Sequence, residues 1–189
     1  METKPKVFSG LQPTGNVHLG NYLGALRNWV KLQDSYDTVY CVVDLHAITV
    51  DYDPVQFTKD RLEAAKVLLA VGIDPNRSLF YFQSQVPQHT ELEWILGTMT
   101  PTGVLNRMTQ YKDKLARGLP SNLGLYAYPV LMAADILMFR ANLVPIGDDQ
   151  KQHLEMTRDL AERFNNRFSE VFPIPDALIP ETSARVMAL

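Results

Sequence analysis

The sequence lacks the features that mark secreted, membrane-bound and metal-dependent proteins. Its 189 residues include one cysteine, Cys41, so no disulfide can form within the chain, which favours a reducing compartment. No apolar run is long enough for a signal peptide or a membrane span, and we therefore expect a cytoplasmic protein without membrane contact. No Cys/His cluster has zinc spacing and Ser9 has no visible base partner, so we predict neither a metal site nor a catalytic triad.

An excess of positive charge is also missing. The formal net charge is -3, so no overall basic field can hold a nucleic-acid backbone, and any RNA contact must be local or lie elsewhere. Hydrophobic residues make up 46% of the chain, which is typical of a globular protein with a buried core. The length predicts one domain.

Short apolar runs alternate with segments of helical periodicity over the first half of the chain. Strands are predicted at residues 6–9, 38–43 and 78–82, and helices at 17–36 and 53–72. Such alternation indicates an α/β fold, with a Rossmann-like parallel sheet covered by helices on both faces. From about residue 83 to 122 the alternation lapses, which predicts a mostly helical insertion with helices at 91–98 and 106–116. A helix at 129–143, a short strand at 144–146 and a helix at 150–168 follow.

A turn-rich segment, residues 12–21, joins the first strand to the first helix. The amino terminus of a helix offers free N–H groups and the positive end of the helix dipole, and Gly20 allows a ligand to approach the backbone, which suits a nucleotide. No G-x-G-x-x-G and no Walker sequence occurs. The alternative is an ordinary helix start with His18 as a surface side chain.

Three polar or polarisable residues share one face of the apolar helix that follows the insertion. Tyr128, Met132 and Asp135 are spaced i, i+4 and i+7. A buried carboxylate needs a hydrogen-bond donor, which is either a protein group or a ligand N–H such as that of an indole. A structural Asp bonded to a helix amino terminus or to Arg140 is the alternative at this point.

Several motifs, taken in order, resemble one enzyme family. His18-Leu19-Gly20-Asn21 is similar to the first signature of class I aminoacyl-tRNA synthetases, with Asn21 in place of the second histidine. Further matches to the bacterial and organellar tryptophanyl-tRNA synthetases cover nearly the whole chain: residues 7–10, 43–49, 107–110, 128–137 and 147–153.

The resemblance implies ATP-dependent activation of L-tryptophan to tryptophanyl-adenylate and transfer to tRNA(Trp), with Mg²⁺ accompanying ATP and a homodimer as the assembly. The implied tryptophan-binding residues are Phe8, Gly10, His46, Tyr128, Met132, Asp135 and Gln150. The implied catalytic residues are Gln12, His18, Asn21 and Lys114. The implied ATP-binding residues are Gln12, His18, Gly20, Asn21, Gly147, Asp149 and Val186. Asp148 stands where the family usually has glutamate.

Comparison with the family also predicts what these 189 residues do not contain. The second class I signature is expected just beyond Leu189, followed by a helical anticodon-binding domain. We therefore expect residues 1–189 to be a Rossmann catalytic domain whose activity alone is impaired. The insertion, with Trp94 and Ile95, is expected to contribute a dimer contact and a flap. Two alternatives stay open: a tyrosyl-tRNA synthetase-like enzyme, and a non-catalytic paralogue or fragment that binds tryptophan or a nucleotide.

Overall fold

The structure, a computed structural model, describes residues 4–14, 19–109, 111–112, 118 and 122–179, and the side chains of Leu19 and Asp148 also lie outside the description. Its strands are β1 (Lys6–Leu11), β2 (Asp37–Val42), β3 (Leu79–Phe82), β4 (Leu143–Pro145) and β5 (Asp176–Leu178). Its helices are α1 (Leu19–Asn21), α2 (Arg27–Ser35), α3 (Asp44–Ala47), α4 (Pro54–Val71), α5 (Gln88–Gly97), α6 (Thr102–Leu105), α7 (Leu123–Met138) and α8 (Lys151–Arg167). A π-helical segment, Tyr22–Leu26, joins α1 to α2.

The five strands form one parallel sheet in the order β3-β2-β1-β4-β5. The predicted Rossmann-like fold class is confirmed. Strand order reverses between β1 and β4, whose pairing includes Val7 opposite Leu143. Open α/β sheets bind ligands beyond the carboxyl ends of the strands at such a reversal, so this crevice is the place to look for a site.

Alternation along β2 explains why helices cover both faces of the sheet. Val39 and Cys41 pack with β1, β4 and α7, whereas Tyr40 and Val42 pack with α2 and α4. All four are buried, as expected for a central strand with successive side chains on opposite faces. Among the described helices, none is both long and apolar enough to cross a membrane.

Helix α4 shows why local sequence signals located some helix ends well. The Asp53 carboxylate accepts a hydrogen bond from the Gln56 N–H at 2.7 Å, and Pro54 occupies the first helical position. Gly72 ends the helix with φ of 112°, a left-handed conformation that favours glycine. The predicted helix over residues 53–72 therefore matches the observed one closely.

Other boundaries differ from the prediction. Helix α7 begins at Leu123 instead of 129, because Asn122 caps it by accepting the Leu125 N–H at 2.8 Å. It ends at Met138, and Arg140 then adopts a left-handed φ of 54°. Helix α6 begins at Thr102, and Asn106 lies at its carboxyl end, whereas Thr109, Tyr111 and Lys112, within the predicted helix 106–116, are helical. Strand β5 was not predicted, since three residues carry too short a pattern.

Candidate active site

A cavity of about 280 Å³ lies in the crevice between β1 and β4. Its walls come from β1, α3, α7 and β4, so elements from the first third and the last third of the chain meet there. Eight of the predicted site residues line it: Phe8, Gly10, Gln12, His46, Tyr128, Met132, Asp135 and Gln150. This set includes every residue predicted to bind tryptophan.

Strand β1 supplies the apolar floor of the cavity. Phe8 is 4% exposed and stacks with Phe139, with ring centroids 6.0 Å apart. A Cβ on Gly10 would lie 2.6 Å from Val43 Cγ1, so a larger residue would push β1 and the residue after β2 apart. A glycine at this position therefore keeps the wall closely packed.

Helix α7 presents its predicted polar face to the cavity. The Tyr128 hydroxyl lies 3.0 Å from His153 Nε2, and burial raises the pKa of Tyr128 to about 12. The Tyr128 ring also meets the His46 ring edge-on, with centroids 6.2 Å apart. His153, for which sequence reasoning offered no role, therefore holds a cavity wall in place.

Asp135 is the most constrained group of the site. It is 1% exposed, and its two carboxylate oxygens are approached by three side chains. Oδ2 lies 2.7 Å from His46 Nε2, and Oδ1 accepts from Gln83 Nε2 at 2.7 Å and lies 2.7 Å from His89 Nδ1. Burial alone would raise the pKa of Asp135, but the contacts with His46 and His89 outweigh it and hold the pKa below its usual value. The cavity therefore has an anionic acceptor on an otherwise largely apolar wall.

Gln83 and His89 were missed by sequence reasoning. Gln83 directly follows β3, at the sheet edge where ligands bind, and this position was a usable signal. His89 lies on α5, within the predicted insertion, and no spacing relates it to Asp135. The alternatives proposed for Asp135, Arg140 or a helix amino terminus, are not its partners among the described contacts.

The residues predicted for ATP are less completely placed. Gly147 and Asp149 are exposed beside the carboxyl end of β4, and Gln150 Nε2 donates to Asp149 Oδ2 at 2.8 Å. Gly20 and Asn21 lie in α1, outside the cavity lining. His18, Lys114 and Val186 lie outside the described residues.

Metal-ligating side chains are not grouped in the described part of the chain: no three or more His, Cys, Asp or Glu residues there are arranged to hold a metal ion. Cys41 is free and buried in β2, and burial raises the pKa of its thiol.

A second cavity, of about 550 Å³, lies on the other side of α7 against α5 and α6. Trp94 and Leu123 on its rim are each 78% exposed, whereas Leu96 and Met99 of the same segment belong to the core. Glu93 also lines it, and the pKa of Glu93 is raised, chiefly by burial.

Several known proteins resemble this chain in sequence and in structure. The tryptophan–tRNA ligase of Wolinella succinogenes is 53% identical over 187 residues, which is 98% of this chain and 57% of the relative. A tryptophanyl-tRNA synthetase from Campylobacter jejuni, solved with ADP and tryptophan, is 45% identical with a TM-score of 0.90, over 93% of this chain and 55% of that one. The enzyme from Mycoplasma pneumoniae is 37% identical with a TM-score of 0.93, over 98% and 56%.

The chain therefore spans little more than half the length of the relatives that it matches. A model of the family described as tRNA synthetases class I (W and Y) matches residues 1–188, and on this match the chain belongs to that family.

Proposed function

We propose that this chain is the catalytic Rossmann part of a tryptophan–tRNA ligase. The observation that carries the proposal is the buried Asp135 carboxylate on the wall of a largely apolar cavity, where an indole N–H can be read as a hydrogen-bond donor. The relatives support this assignment, because those from Wolinella, Campylobacter and Mycoplasma are tryptophan enzymes and the Campylobacter structure contains tryptophan.

Tryptophan recognition divides between apolar and polar walls. Phe8 and Met132 pack against the indole ring, and Asp135 accepts its N–H. Tyr128 and Gln150 bind the ammonium group of the amino acid, while His46 and Gly10 complete the wall. A tyrosine side chain would bring a hydroxyl that both donates and accepts, so it would not match a site built around one acceptor.

Activation requires the amino-acid carboxylate to attack the α-phosphate of ATP, forming tryptophanyl-adenylate and releasing pyrophosphate. The enzyme forms no covalent bond with either substrate, so its contribution is alignment of the reactants and stabilisation of the charge that develops in the transition state. We assign this role to Gln12, His18, Asn21 and Lys114. Gly20, Gly147, Asp149 and Val186 contact the nucleotide, and Mg²⁺ arrives with the phosphates of ATP.

Transfer of the activated amino acid to tRNA(Trp) and assembly as a homodimer complete the proposal. The second cavity supports the dimer, because exposed Trp94 and Leu123 offer apolar surface that a partner copy can cover. The single buried cysteine supports a reducing, cytoplasmic setting.

Titration calorimetry tests the proposal on the 189-residue chain. L-Tryptophan is expected to bind, and Asp135→Ala is expected to weaken its binding roughly 10- to 150-fold, the range for a hydrogen bond to a charged group. Asp34→Ala, which removes an exposed carboxylate of the same type, is the control and leaves binding unchanged. Exchange of labelled pyrophosphate into ATP, measured with tryptophan present, reports activation. Tyrosine binding as tightly as tryptophan would contradict the assignment.

A further inference from the structure

The two oxygens of Asp135 differ in how many donors they already serve. A carboxylate oxygen offers about two acceptor sites. Oδ1 accepts a hydrogen bond from Gln83 Nε2 at 2.7 Å, and His89 Nδ1 lies 2.7 Å from the same oxygen in an ion-pair contact, so two nitrogens already crowd Oδ1. Among the described residues, Oδ2 is approached by His46 alone. His46 and Asp135 both line the cavity, and Oδ2 is the oxygen that lies beside His46.

His89 can act only as a donor in this arrangement. A carboxylate accepts and never donates, and at 2.7 Å an unprotonated Nδ1 would set its lone pair against the Asp135 oxygen, so the contact is favourable only with the proton on Nδ1. The opposite nitrogen, Nε2, lies 3.0 Å from the Tyr81 hydroxyl, and the two rings stack with centroids 5.6 Å apart. His89 is fully buried, and these contacts hold its ring in position.

Gln83 is oriented in the same way by its second partner. Its Oε1 accepts the Leu45 N–H at 3.0 Å, which leaves Nε2 as the end that faces Asp135. The side chain is fully buried. Leu45 precedes His46 in α3. Gln83 therefore bonds both to the backbone beside His46 and to the Asp135 carboxylate that the His46 ring contacts.

We propose that His89 and Gln83 are positioning residues that occupy Oδ1 of Asp135 and so dedicate Oδ2 to the indole N–H of the substrate. This inference rests on the proposed function. Selectivity for a side chain with an N–H donor then depends on Gln83 and His89. Both residues are buried, and neither is among the residues that line the two cavities.

The consequence for ligand binding is specific. Without His89, an acceptor site opens on Oδ1, and the carboxylate can rotate away from the geometry that suits an indole N–H. Apolar contacts from Phe8 and Met132 do not depend on that rotation. Loss of His89 should therefore weaken tryptophan binding while leaving binding of an analogue without the N–H almost unchanged.

The test compares dissociation constants of L-tryptophan and benzothienylalanine, in which sulfur replaces the indole N–H. The ratio of the two constants measures selectivity, and about tenfold or more is expected for the unmodified chain. His89→Leu should reduce that ratio to within about twofold, whereas His89→Asn, which keeps an N–H near the position of Nδ1, should retain most of it. Gln33→Leu is the control: Gln33 is equally buried and hydrogen-bonded, but on the opposite face of the sheet.

Equal weakening of both ligands by His89→Leu would overturn the inference, because a purely structural role affects them alike. A different result, an unmodified chain that binds both ligands equally well, would instead contradict Asp135 as the indole acceptor and remove the proposed function with it. Nitrogen NMR of the histidine-labelled, unmodified chain gives a measurement that needs no variant to fold, with the His89 signals assigned from the contacts of its ring with Tyr81. A His89 ring protonated only on Nε2 would overturn the inference.

Discussion

Two cavities lie on opposite sides of helix α7, and they differ in volume, in the exposure of their walls and in their polar groups. The cavity between β1 and β4 measures about 280 Å³ and has Tyr128, Met132 and Asp135 of α7 in its wall. The cavity against α5 and α6 measures about 550 Å³, and Trp94 and Leu123 on its rim are each 78% exposed. The smaller cavity has polar groups that converge on one point, whereas the larger one is an open apolar surface.

A carboxylate in each wall shows the physical difference most clearly. Burial acts in the same direction on Asp135 and Glu93, by raising the pKa of each. In Asp135 the contacts with His46 and His89 reverse that effect, whereas in Glu93 burial prevails. The two cavities therefore differ less in the burial of their carboxylates than in the supply of buried donors around them.

Replacing the anion of the first cavity should have the largest effect on stability. Asp135→Asn leaves a buried amide N–H facing donors, and we expect a loss on the order of 3 kcal/mol in the free energy of unfolding at pH 7. Urea denaturation measures this. Asp34→Ala, which breaks an exposed ion pair with Arg77, is the control, with an expected change below about 1 kcal/mol.

Acidification should reduce the difference in the free energy of unfolding between the unmodified chain and Asp135→Asn. The folded-state pKa of Asp135 lies below the value of about 3.9 expected when unfolded, so its contribution is present above that value and is lost as the pH falls through the folded-state pKa. A difference in the free energy of unfolding that stayed constant down to pH 3 would show that ionisation of Asp135 is not the source of the stabilisation.

Charge on the rim of the second cavity should act on assembly and not on the first cavity. Trp94→Lys places an ammonium group on the apolar patch, and we expect at least about 2 kcal/mol weaker self-association, or roughly 30-fold. Analytical ultracentrifugation measures it. Tryptophan affinity, determined on the same samples, should not change. An unmodified chain that is monomeric at micromolar concentration and binds tryptophan would rule out a dimer formed through this surface.

Glu93 should show the smallest effect, with a sign opposite to that of Asp135. Its folded-state pKa is raised, so its contribution to stability is present at low pH and is lost as the pH rises through that pKa. Glu93→Gln should therefore stabilise the chain at pH 7, by less than about 1 kcal/mol because the side chain is partly exposed to solvent. Denaturation at pH 7 and pH 4 measures the difference, which should nearly vanish at pH 4. If Glu93→Gln destabilised the chain at pH 7, the expected opposite sign of the Glu93 and Asp135 contributions would be wrong.

Much of this architecture could be predicted from the sequence because it is encoded locally. Apolar runs of strand length alternating with helical periodicity indicated β1, β2, β3 and the parallel sheet, and Asp53 and Gly72 marked the ends of α4. Spacing alone placed Tyr128, Met132 and Asp135 on one face of a helix. The prediction was wrong where the sequence pattern was too short to be informative: it placed the start of α7, which Asn122 caps, six residues too late, and it missed the three-residue strand β5.

The partners of Asp135 could be decided only by the tertiary structure. Gln83 and His89 are 52 and 46 residues away from Asp135 in the chain, and no periodicity connects positions so far apart. They meet because β3 ends beside β2 at the carboxyl edge of the sheet, while α5 packs directly against α7. Sequence patterns thus determined which face of α7 carries the carboxylate, and packing of distant elements determined which side chains contact each of its oxygens.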